Sequence, residues 1–203
     1  MIPVHTPLRI GITGGIGCGK SFICRMLNEA TKWPVYSCDD RAKALMNEDQ
    51  QLRESLTHLV GENAYTLSEG KWAINRTAIA QFLFASADNA AAINAIVHPC
   101  VMQDFEAWAQ RQTTPVVIME SAILYESGFN AIVDKTVAVT ASLNTRIARV
   151  QQRDKATEEQ VRQRILRQMN QDELIRRSDF IVANETTPDI PLLITQIKQS
   201  IHT

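Results

Sequence analysis

The sequence predicts an α/β fold in which helices flank a parallel sheet, and three observations support this prediction. A strand pattern, a glycine-rich loop and a helix pattern follow one another within residues 8–28. Residues 115–121 and 135–140 contain short, continuous apolar runs, which are typical of strands buried on both faces of a parallel sheet. Helical spacing of apolar residues prevails between the strands, as the crossovers of a parallel sheet require.

The first element is a strand followed by a phosphate-binding loop. Leu8, Ile10 and Ile12 alternate as in a strand, and the loop follows the pattern G-x-x-x-x-G-K-S from Gly14 to Ser21. Glycines let backbone N–H groups approach phosphate oxygens, and the next helix points its positive end at the same anion. The pattern therefore predicts a nucleoside triphosphate site. Its members are Gly14, Gly15, Gly17, Cys18, Gly19, Lys20 and Ser21.

Two side chains of this loop have separate expected roles. Lys20 can reach the β- and γ-phosphates as a point charge. The hydroxyl of Ser21 is placed to bind Mg²⁺ that accompanies the nucleotide.

A short second strand within residues 33–38 leads into two carboxylates, Asp39 and Asp40. Ligands of open α/β sheets gather at the carboxyl ends of strands, so an acid at this point is a functional candidate. The alternative role is an N-cap of the helix that we predict from Arg41 to Met46. We favour the functional interpretation for Asp39.

Residues 50–112 are predicted to form a mostly helical insertion that builds the acceptor side of the site. Residues 66–72 look like a polar turn region around Gly70. Pro99 suits the first position of a new helix, so we expect the helical pattern to break there. His98 then either caps this junction, satisfies a buried carbonyl, or lines the acceptor pocket.

The second half of the chain supplies the remaining strands. The apolar run at 115–121 ends at Glu120 in a loose Walker B pattern, so Glu120 would hold Mg²⁺ through water or position the acceptor. Residues 135–140 and 179–184 are the fourth and fifth predicted strands, and 190–201 form a closing amphipathic helix.

Arginines crowd the segment between the last two strands. Arg146, Arg149 and Arg153 lie at i, i+3 and i+7, on one face of a helix. Phosphoryl transfer spreads negative charge over the γ-phosphoryl oxygens, and guanidinium groups on a closing lid neutralise it. We expect Arg149 and Arg153 to act in this way. The others are interpreted as surface residues, namely Arg146, Arg162, Arg164 and Arg167.

Composition limits the partners of the protein. The 203 residues carry a formal net charge of −1, which provides no basic field for nucleic acid or an anionic membrane. No apolar run approaches the roughly 20 residues of a membrane span. Residues 1–7 lack the features of a signal peptide, and the four cysteines lack metal-ligand spacing. We therefore expect a cytoplasmic protein without nucleic acid or membrane partners, and no sequence signal indicates an oligomeric state.

The motifs, taken in order, resemble those of the dephospho-CoA kinases over essentially the whole chain from residue 8. The loop alone is shared with many unrelated proteins, whereas the full set at these distances is far more specific. Beyond the loop, the likeness rests on Asp39, Arg76, His98-Pro99, Glu120, Arg149, Arg153-Asp154, Gln168 and Ser178-Asp179 with Asn184.

The resemblance implies a three-layer α/β/α P-loop kinase core of five parallel strands, a helical substrate-binding part and a mobile lid. The core would cover about 8–40, 113–145 and 175–203, the helical part about 41–112 and the lid about 146–174. The implied activity is ATP-dependent phosphorylation of the ribose 3′-hydroxyl of dephospho-CoA, the last step of coenzyme A synthesis. ATP and Mg²⁺ are the implied cofactors, and dephospho-CoA is the small-molecule partner.

The resemblance also implies roles for individual residues. Gly17 to Phe22 would belong to the ATP phosphate site, and Asp39 would act at the acceptor hydroxyl. Lys20, Arg149 and Arg153 would complete the catalytic set. The acceptor side would include Thr13, Arg76, His98 and Glu120. Ser37 stands where the family usually has a further acid, so no role of that acid carries over.

Two alternatives remain open on the sequence. Another P-loop small-molecule kinase, acting on a nucleoside, a nucleotide monophosphate or a sugar acid, would share the loop, the lid and the Walker B pattern. A nucleotide-dependent switch would share the loop and phosphorylate nothing. The N/T-K-x-D stretch typical of guanine-reading switches does not occur in the sequence.

Overall fold

A computed structural model describes residues 6–68 and 70–201 of the chain. Most of the N-terminal segment discussed above and the last two residues of the predicted domain lie outside the described residues. The chain divides into two compact units. The sheet unit comprises Met1–Ser37 and Trp108–Thr203, and the inserted unit comprises Cys38–Ala107.

The strands are β1 (Leu8–Thr13), β2 (Val35–Ser37), β3 (Tyr65–Ser68), β4 (Lys71–Ile74), β5 (Val116–Glu120), β6 (Lys135–Thr140) and β7 (Phe180–Ala183). The helices are α1 (Lys20–Thr31), α2 (Cys38–Glu48), α3 (Gln50–Val60), α4 (Arg76–Ala85), α5 (Ala87–Gln110), α6 (Leu143–Asp154), α7 (Glu158–Leu166), α8 (Gln171–Arg177) and α9 (Ile190–Gln199).

The sheet unit contains the predicted five-stranded sheet, in the order β2-β5-β1-β6-β7. Every pair of neighbouring strands is parallel. The α/β prediction and the five predicted strands are therefore confirmed. Because β1 is central and the chain crosses to both sides of it, the loop after β1 lies at the switch point of the sheet, where ligands of such folds bind.

Burial explains why the central strands were predictable. The sheet core is made of branched apolar side chains from the three central strands, and α1 and α9 add apolar side chains to the same cluster. Branched side chains suit a pleated surface that is covered on both faces. Its most buried strand residues are Ile10, Ile12, Val116, Ile118, Val137 and Val139.

The inserted unit is mainly helical, but it also contains a hairpin that the sequence analysis missed. The expected turn around Gly70 is present, with Gly70 at φ 74°, and β3 and β4 pair antiparallel on either side of it. Most residues of both strands are half-buried or exposed. The strands therefore lack the apolar alternation by which a half-buried strand is recognised.

The predicted break at Pro99 is wrong, because α5 continues through this residue. Ile93, Val97, Val101 and Phe105 are all buried and recur at a spacing of four residues. This stripe lies on both sides of the exposed Pro99, so packing keeps the helix continuous despite the missing N–H group. Among the described helices, none combines the length and the apolar content that a membrane crossing needs.

Candidate active site

The loop between β1 and α1 has a backbone that requires glycine. Gly17 and Gly19 have φ angles of 83° and 89°, in the left-handed region that other residues rarely adopt. A Cβ atom on Gly17 would lie 2.5 Å from the carbonyl oxygen of Arg146. Gly19 precedes α1 and offers no side-chain cap to its first N–H groups. These donors are therefore oriented for an anion.

Lys20 contacts the phosphate loop, and Ser21 contacts Glu120 at the carboxyl edge of the sheet. Lys20 Nζ donates to the carbonyl oxygen of Gly14 at 2.9 Å, and Ser21 Oγ donates to Glu120 Oε1 at 2.7 Å. Glu120 ends β5 and pairs in register with the last residue of β2, Ser37. The fold thus brings residues that are 99 positions apart into one hydrogen bond at this edge.

The donor set at this edge suits Mg²⁺. Mg²⁺ prefers oxygen ligands and is usually held by one or two protein groups together with phosphate oxygens and water. The Ser21 hydroxyl and the Glu120 carboxylate provide such a pair. Within residues 6–68 and 70–201, no group of three or more His, Cys, Asp or Glu side chains could hold a metal. The pair therefore fits a cation shared with nucleotide phosphates.

Among residues 6–68 and 70–201, two buried polar atoms beside the loop find no hydrogen-bond partner. One is Thr13 Oγ1 at the end of β1, where the residue is fully buried. The other is Arg149 Nη1, which lies 3.8 Å from the position that a Cβ atom on Gly19 would occupy. An unsatisfied buried polar atom costs about 1–3 kcal/mol, so both atoms are suited to a ligand partner.

Arg153 has a different environment from Arg149. Its side chain is 65% exposed and forms two hydrogen bonds to the adjacent Asp154, at 2.7 and 3.1 Å. This hydrogen bonding raises the pKa of Arg153 and lowers that of Asp154, which also accepts from Arg164. A role for Arg153 at the transferring phosphoryl group remains a prediction.

Three side chains hold the loop from outside. Arg146 Nε donates to the carbonyl oxygen of Ile16 at 3.0 Å, and the Ile16 N–H donates to Gln168 Oε1 at 2.7 Å. Asn184 Nδ2 donates to the carbonyl oxygen of Cys18 at 2.8 Å. These contacts leave the loop with anchors from α6, from the segment after α7 and from the end of β7.

The expectation that Arg146 is a surface residue is wrong, because only 7% of it is exposed. Its guanidinium group fills the space beside Gly15, where a Cβ atom would collide with Nη2. In the sequence it resembles the exposed arginines around it. Its partner Ile16 is 130 positions away, so helical spacing alone offered no signal that could identify it.

Cys18 and Phe22 complete the predicted nucleotide site. Cys18 is fully buried, and burial raises the pKa of its thiol, which therefore stays protonated at neutral pH. Phe22 lies on the exposed side of α1 with 39% of its surface accessible, and the Arg25 guanidinium stands 5.4 Å from its ring centroid.

Asp39 belongs to the inserted unit and lies in the first turn of α2. Because α2 begins at Cys38, neither Asp39 nor Asp40 stands at the N-cap position that the alternative interpretation required. Both residues are exposed, and Asp40 contacts Lys43 at 3.3 Å. Asp39 follows the carboxyl end of β2 in the chain by two residues, as predicted.

Arg76 and His98 also belong to the inserted unit. Arg76 begins α4 and, within the described residues, its guanidinium has no carboxylate at salt-bridge distance. It lines a cavity of about 310 Å³ whose other walls are mostly apolar. His98 lies within α5, so it does not cap a helix junction, and burial lowers its pKa. Further lining residues are Met46, Ile74, Ile79, Leu83 and Phe84.

Comparisons with known proteins agree on one family. The family model described as dephospho-CoA kinase matches residues 8–189. A dephospho-CoA kinase of Bacteroides fragilis is 41% identical over 200 residues, covering 96% of this chain and 95% of the relative. One from Chlorobium luteolum is 36% identical over 189 residues, covering 91% and 85%.

Solved structures agree with the fold. A Thermus thermophilus protein superposes with a TM-score of 0.81 at 28% identity, covering 96% of this chain and 97% of that one. Dephospho-CoA kinase from Campylobacter jejuni reaches 0.66 at 21% identity, covering 95% and 96%. Shikimate kinase from Aquifex aeolicus reaches 0.54 at 16% identity, covering 95% and 98%, and shares the fold alone.

Proposed function

Because the chain belongs to the dephospho-CoA kinase family, we propose how its residues carry out the family's reaction, the ATP-dependent phosphorylation of the ribose 3′-hydroxyl of dephospho-CoA. The product is coenzyme A, and the reaction is the last step of its synthesis. The observation that carries the residue assignment is the hydrogen bond between Ser21 and Glu120 beside the phosphate loop.

The phosphate loop binds the donor. Backbone N–H groups at the start of α1 bind the phosphate oxygens of ATP, and Lys20 neutralises charge on the β- and γ-phosphates. To do so, Lys20 exchanges its hydrogen bond to the Gly14 carbonyl for a phosphate oxygen. Phosphoryl transfer demands little covalent chemistry from the protein, so positioning and charge neutralisation supply most of the catalysis.

The metal site follows from the oxygen pair described above. Ser21 would hold Mg²⁺ directly and Glu120 through water, and the bound cation would neutralise charge on the phosphates. Glu120 also keeps the Ser21 hydroxyl oriented toward the edge of the sheet.

Asp39 acts on the acceptor. It orients the ribose 3′-hydroxyl of dephospho-CoA and accepts its proton late in the transfer. The support is its place in the chain, two residues beyond the end of β2, together with its exposed carboxylate. The neighbouring Asp40 is engaged with Lys43 and is assigned no part in the reaction.

Arg149 and Arg153 neutralise the transferring group. The unpartnered Nη1 atom of Arg149 beside Gly19 supports this assignment, because a phosphoryl oxygen would satisfy it. Arg153 would leave Asp154 and join the site when the part of the predicted lid between Arg146 and Gln168 closes, while these two residues stay on the loop. Closure excludes water, which otherwise would hydrolyse ATP.

The acceptor side involves the remaining predicted residues. Arg76 would pair with the diphosphate of dephospho-CoA, since this guanidinium has no carboxylate partner in the described part of the chain and borders an apolar cavity. His98 and Thr13 complete this assignment. Thr13 is supported by its unpartnered hydroxyl and His98 by its half-buried, neutral imidazole.

Product analysis tests this function. The purified protein, ATP, Mg²⁺ and dephospho-CoA should yield ADP and a product with the chromatographic retention and mass of coenzyme A. The ³¹P spectrum should place the new phosphate on the 3′ position. The Lys20→Met variant is the matched control and should form no detectable product. A new phosphate at any other position, or ADP without a phosphorylated acceptor, would contradict the proposal.

A further inference from the structure

We infer that Arg146 is a positioning residue for the reaction, which holds the phosphate loop in its binding shape and adds positive charge beneath the nucleotide. This inference rests on the proposed function only in that the loop binds nucleotide phosphates. It concerns a residue that the sequence analysis interpreted as surface.

Arg146 is a charged residue in a buried environment. The residue is 7% exposed, and no carboxylate lies within salt-bridge distance of it in the part of the chain that the structure describes. A buried charge is costly unless it is paired, and guanidinium stays charged at all accessible pH values. The natural counter-ion at this position is the anion that the adjacent loop binds.

Arg146 contacts the phosphate loop through both its side chain and its main chain. Its Nε donates to the carbonyl oxygen of Ile16 at 3.0 Å, while its terminal nitrogens stand against the backbone of Gly15. Its own main chain packs on Gly17, where a Cβ atom would approach the carbonyl oxygen to 2.5 Å. The loop can take this shape only because both positions are glycine.

Both main-chain polar groups of Ile16 form hydrogen bonds to side chains. Arg146 donates to its carbonyl oxygen, and its N–H donates to Gln168 Oε1 at 2.7 Å. The two side chains come from different segments, so Arg146 and Gln168 form a clamp on one residue of the loop, Ile16. A fixed loop presents its N–H groups to the phosphates without a cost of reorganisation on binding.

The charge of Arg146 is felt inside the loop. Burial raises the pKa of the Cys18 thiol, and the field of Arg146 is the largest influence that opposes this, ahead of that of Lys20. Cys18 lies within the loop, where its N–H donates to the carbonyl oxygen of Gly15 at 3.1 Å. The positive charge of Arg146 therefore lies close enough to the loop to act on its residues.

Nucleotide binding by two variants tests the inference. Arg146→Gln keeps one donor for the Ile16 carbonyl but removes the charge, and Arg146→Lys keeps the charge but loses the planar group. We expect Arg146→Gln to weaken binding of MgADP and of a non-hydrolysable MgATP analogue by about ten- to hundredfold in calorimetric titration. Arg146→Lys should recover part of this loss. The exposed Arg162, paired with Glu158, gives the matched control Arg162→Gln, which should bind as the wild type does.

Steady-state kinetics separate positioning from general structural support. Arg146→Gln should raise the KM for ATP by at least tenfold and leave the KM for dephospho-CoA within about twofold. Urea unfolding of each variant without nucleotide identifies any that fails to fold, and Arg146→Lys then decides. A folded Arg146→Gln variant that binds nucleotide within twofold of the wild type would overturn the inference, and so would Arg146→Lys within twofold if it alone folds. Because binding is measured without an acceptor, this result does not depend on which acceptor the enzyme phosphorylates.

Discussion

At the scale of single residues, the chemistry of this protein depends on side chains that the sheet brings together from distant parts of the chain. Ser21 lies at the start of α1 and Glu120 at the end of β5, yet their side chains are 2.7 Å apart. Neither group alone would bind Mg²⁺ firmly, because Mg²⁺ gives up its water reluctantly. We therefore propose the hydroxyl of Ser21 as the protein ligand of Mg²⁺.

The first prediction concerns this hydroxyl. Ser21→Ala removes it, and the Mg²⁺ concentration for half-maximal activity should rise by about tenfold or more. The measurement is the initial rate as a function of Mg²⁺ at saturating ATP. Ser21→Thr is the matched control, because it keeps a hydroxyl at the same position and should stay near the wild type. An unchanged Mg²⁺ requirement in Ser21→Ala would show that Ser21 does not bind the metal.

The second prediction concerns Asp39. Asp39→Asn should lower kcat by about 10²–10⁴-fold, since an amide cannot accept the proton of the acceptor hydroxyl. The affinity for ATP should change by less than about threefold, because the donor is bound by the loop. Rates and nucleotide titrations measure the two effects. Asp40→Asn is the adjacent control and should retain most activity. An equal collapse of ATP affinity in Asp39→Asn would refute the assigned role.

The residues of the site differed in how well the sequence could predict them. Lys20 and Ser21 were accessible because their roles depend on local spacing within one loop. Arg146 and Gln168 were not assigned as anchors of the loop, because their positions depend on Ile16, which is far away in the chain. Local periodicity cannot distinguish a buried arginine from an exposed one when its partner is a backbone carbonyl.

At the scale of elements, Asp179 links the two strands β6 and β7. Its carboxylate accepts from the N–H and the hydroxyl of Thr136, both at 2.8 Å, and contacts Lys135. Burial raises the pKa of Asp179, but these hydrogen bonds outweigh burial and lower it overall. These contacts give Asp179 a structural role between β6 and β7.

The third prediction follows from this lowered pKa. Asp179→Asn should reduce the free energy of unfolding at pH 7 by about 1–2 kcal/mol, a modest value because the carboxylate is partly exposed. Because the folded pKa lies below the unfolded value, the contribution is complete above about pH 4 and is lost as pH falls through the folded pKa. Urea unfolding at pH 7 and near pH 3 should therefore show the difference shrinking in acid.

A control for this prediction is Glu29→Gln, whose carboxylate is 69% exposed and lies 3.9 Å from Arg25. Its stability should stay within about 0.5 kcal/mol of the wild type at both pH values. A difference for Asp179→Asn that grows in acid would contradict the account of β6 and β7.

The fourth prediction concerns α5, where an exposed proline interrupts the hydrogen bonding of a continuous helix. Pro99→Ala restores the missing N–H group and should raise the free energy of unfolding by about 1 kcal/mol. Thermal and urea unfolding measure this change. A clear loss of stability would show that the packing of Val97 and Val101 requires the proline.

The strands and helices could be predicted where their burial is accompanied by a regular pattern of apolar residues in the sequence. Strands β1, β5 and β6 have continuous or alternating apolar residues because most of their side chains are buried on the faces of the sheet. Strands β3 and β4 are largely exposed and carry no such pattern. The continuity of α5 could not be predicted either, because the stabilising stripe is a tertiary feature that overrides the local preference of Pro99.

At the scale of the whole molecule, two units divide the chemistry. The sheet unit carries the phosphate loop, Glu120 and the arginines of α6, and all groups assigned to the donor belong to it. The inserted unit carries Asp39, Arg76 and His98, which are assigned to the acceptor, and Thr13 is the acceptor residue that belongs to the sheet unit. Since fold alone does not determine the substrate, the choice of acceptor is expected to depend on the residues assigned to it.

Specificity for the acceptor distinguishes the proposed reaction from that of other small-molecule kinases. The direct measurement is the rate of ADP release from MgATP with dephospho-CoA, compared with AMP, adenosine, uridine and gluconate as acceptors. We predict stimulation by dephospho-CoA far above every other acceptor, with coenzyme A formed in equal amount to ADP. Stronger stimulation by one of the others, or ADP release that no acceptor changes, would contradict the assignment of this chain as a dephospho-CoA kinase.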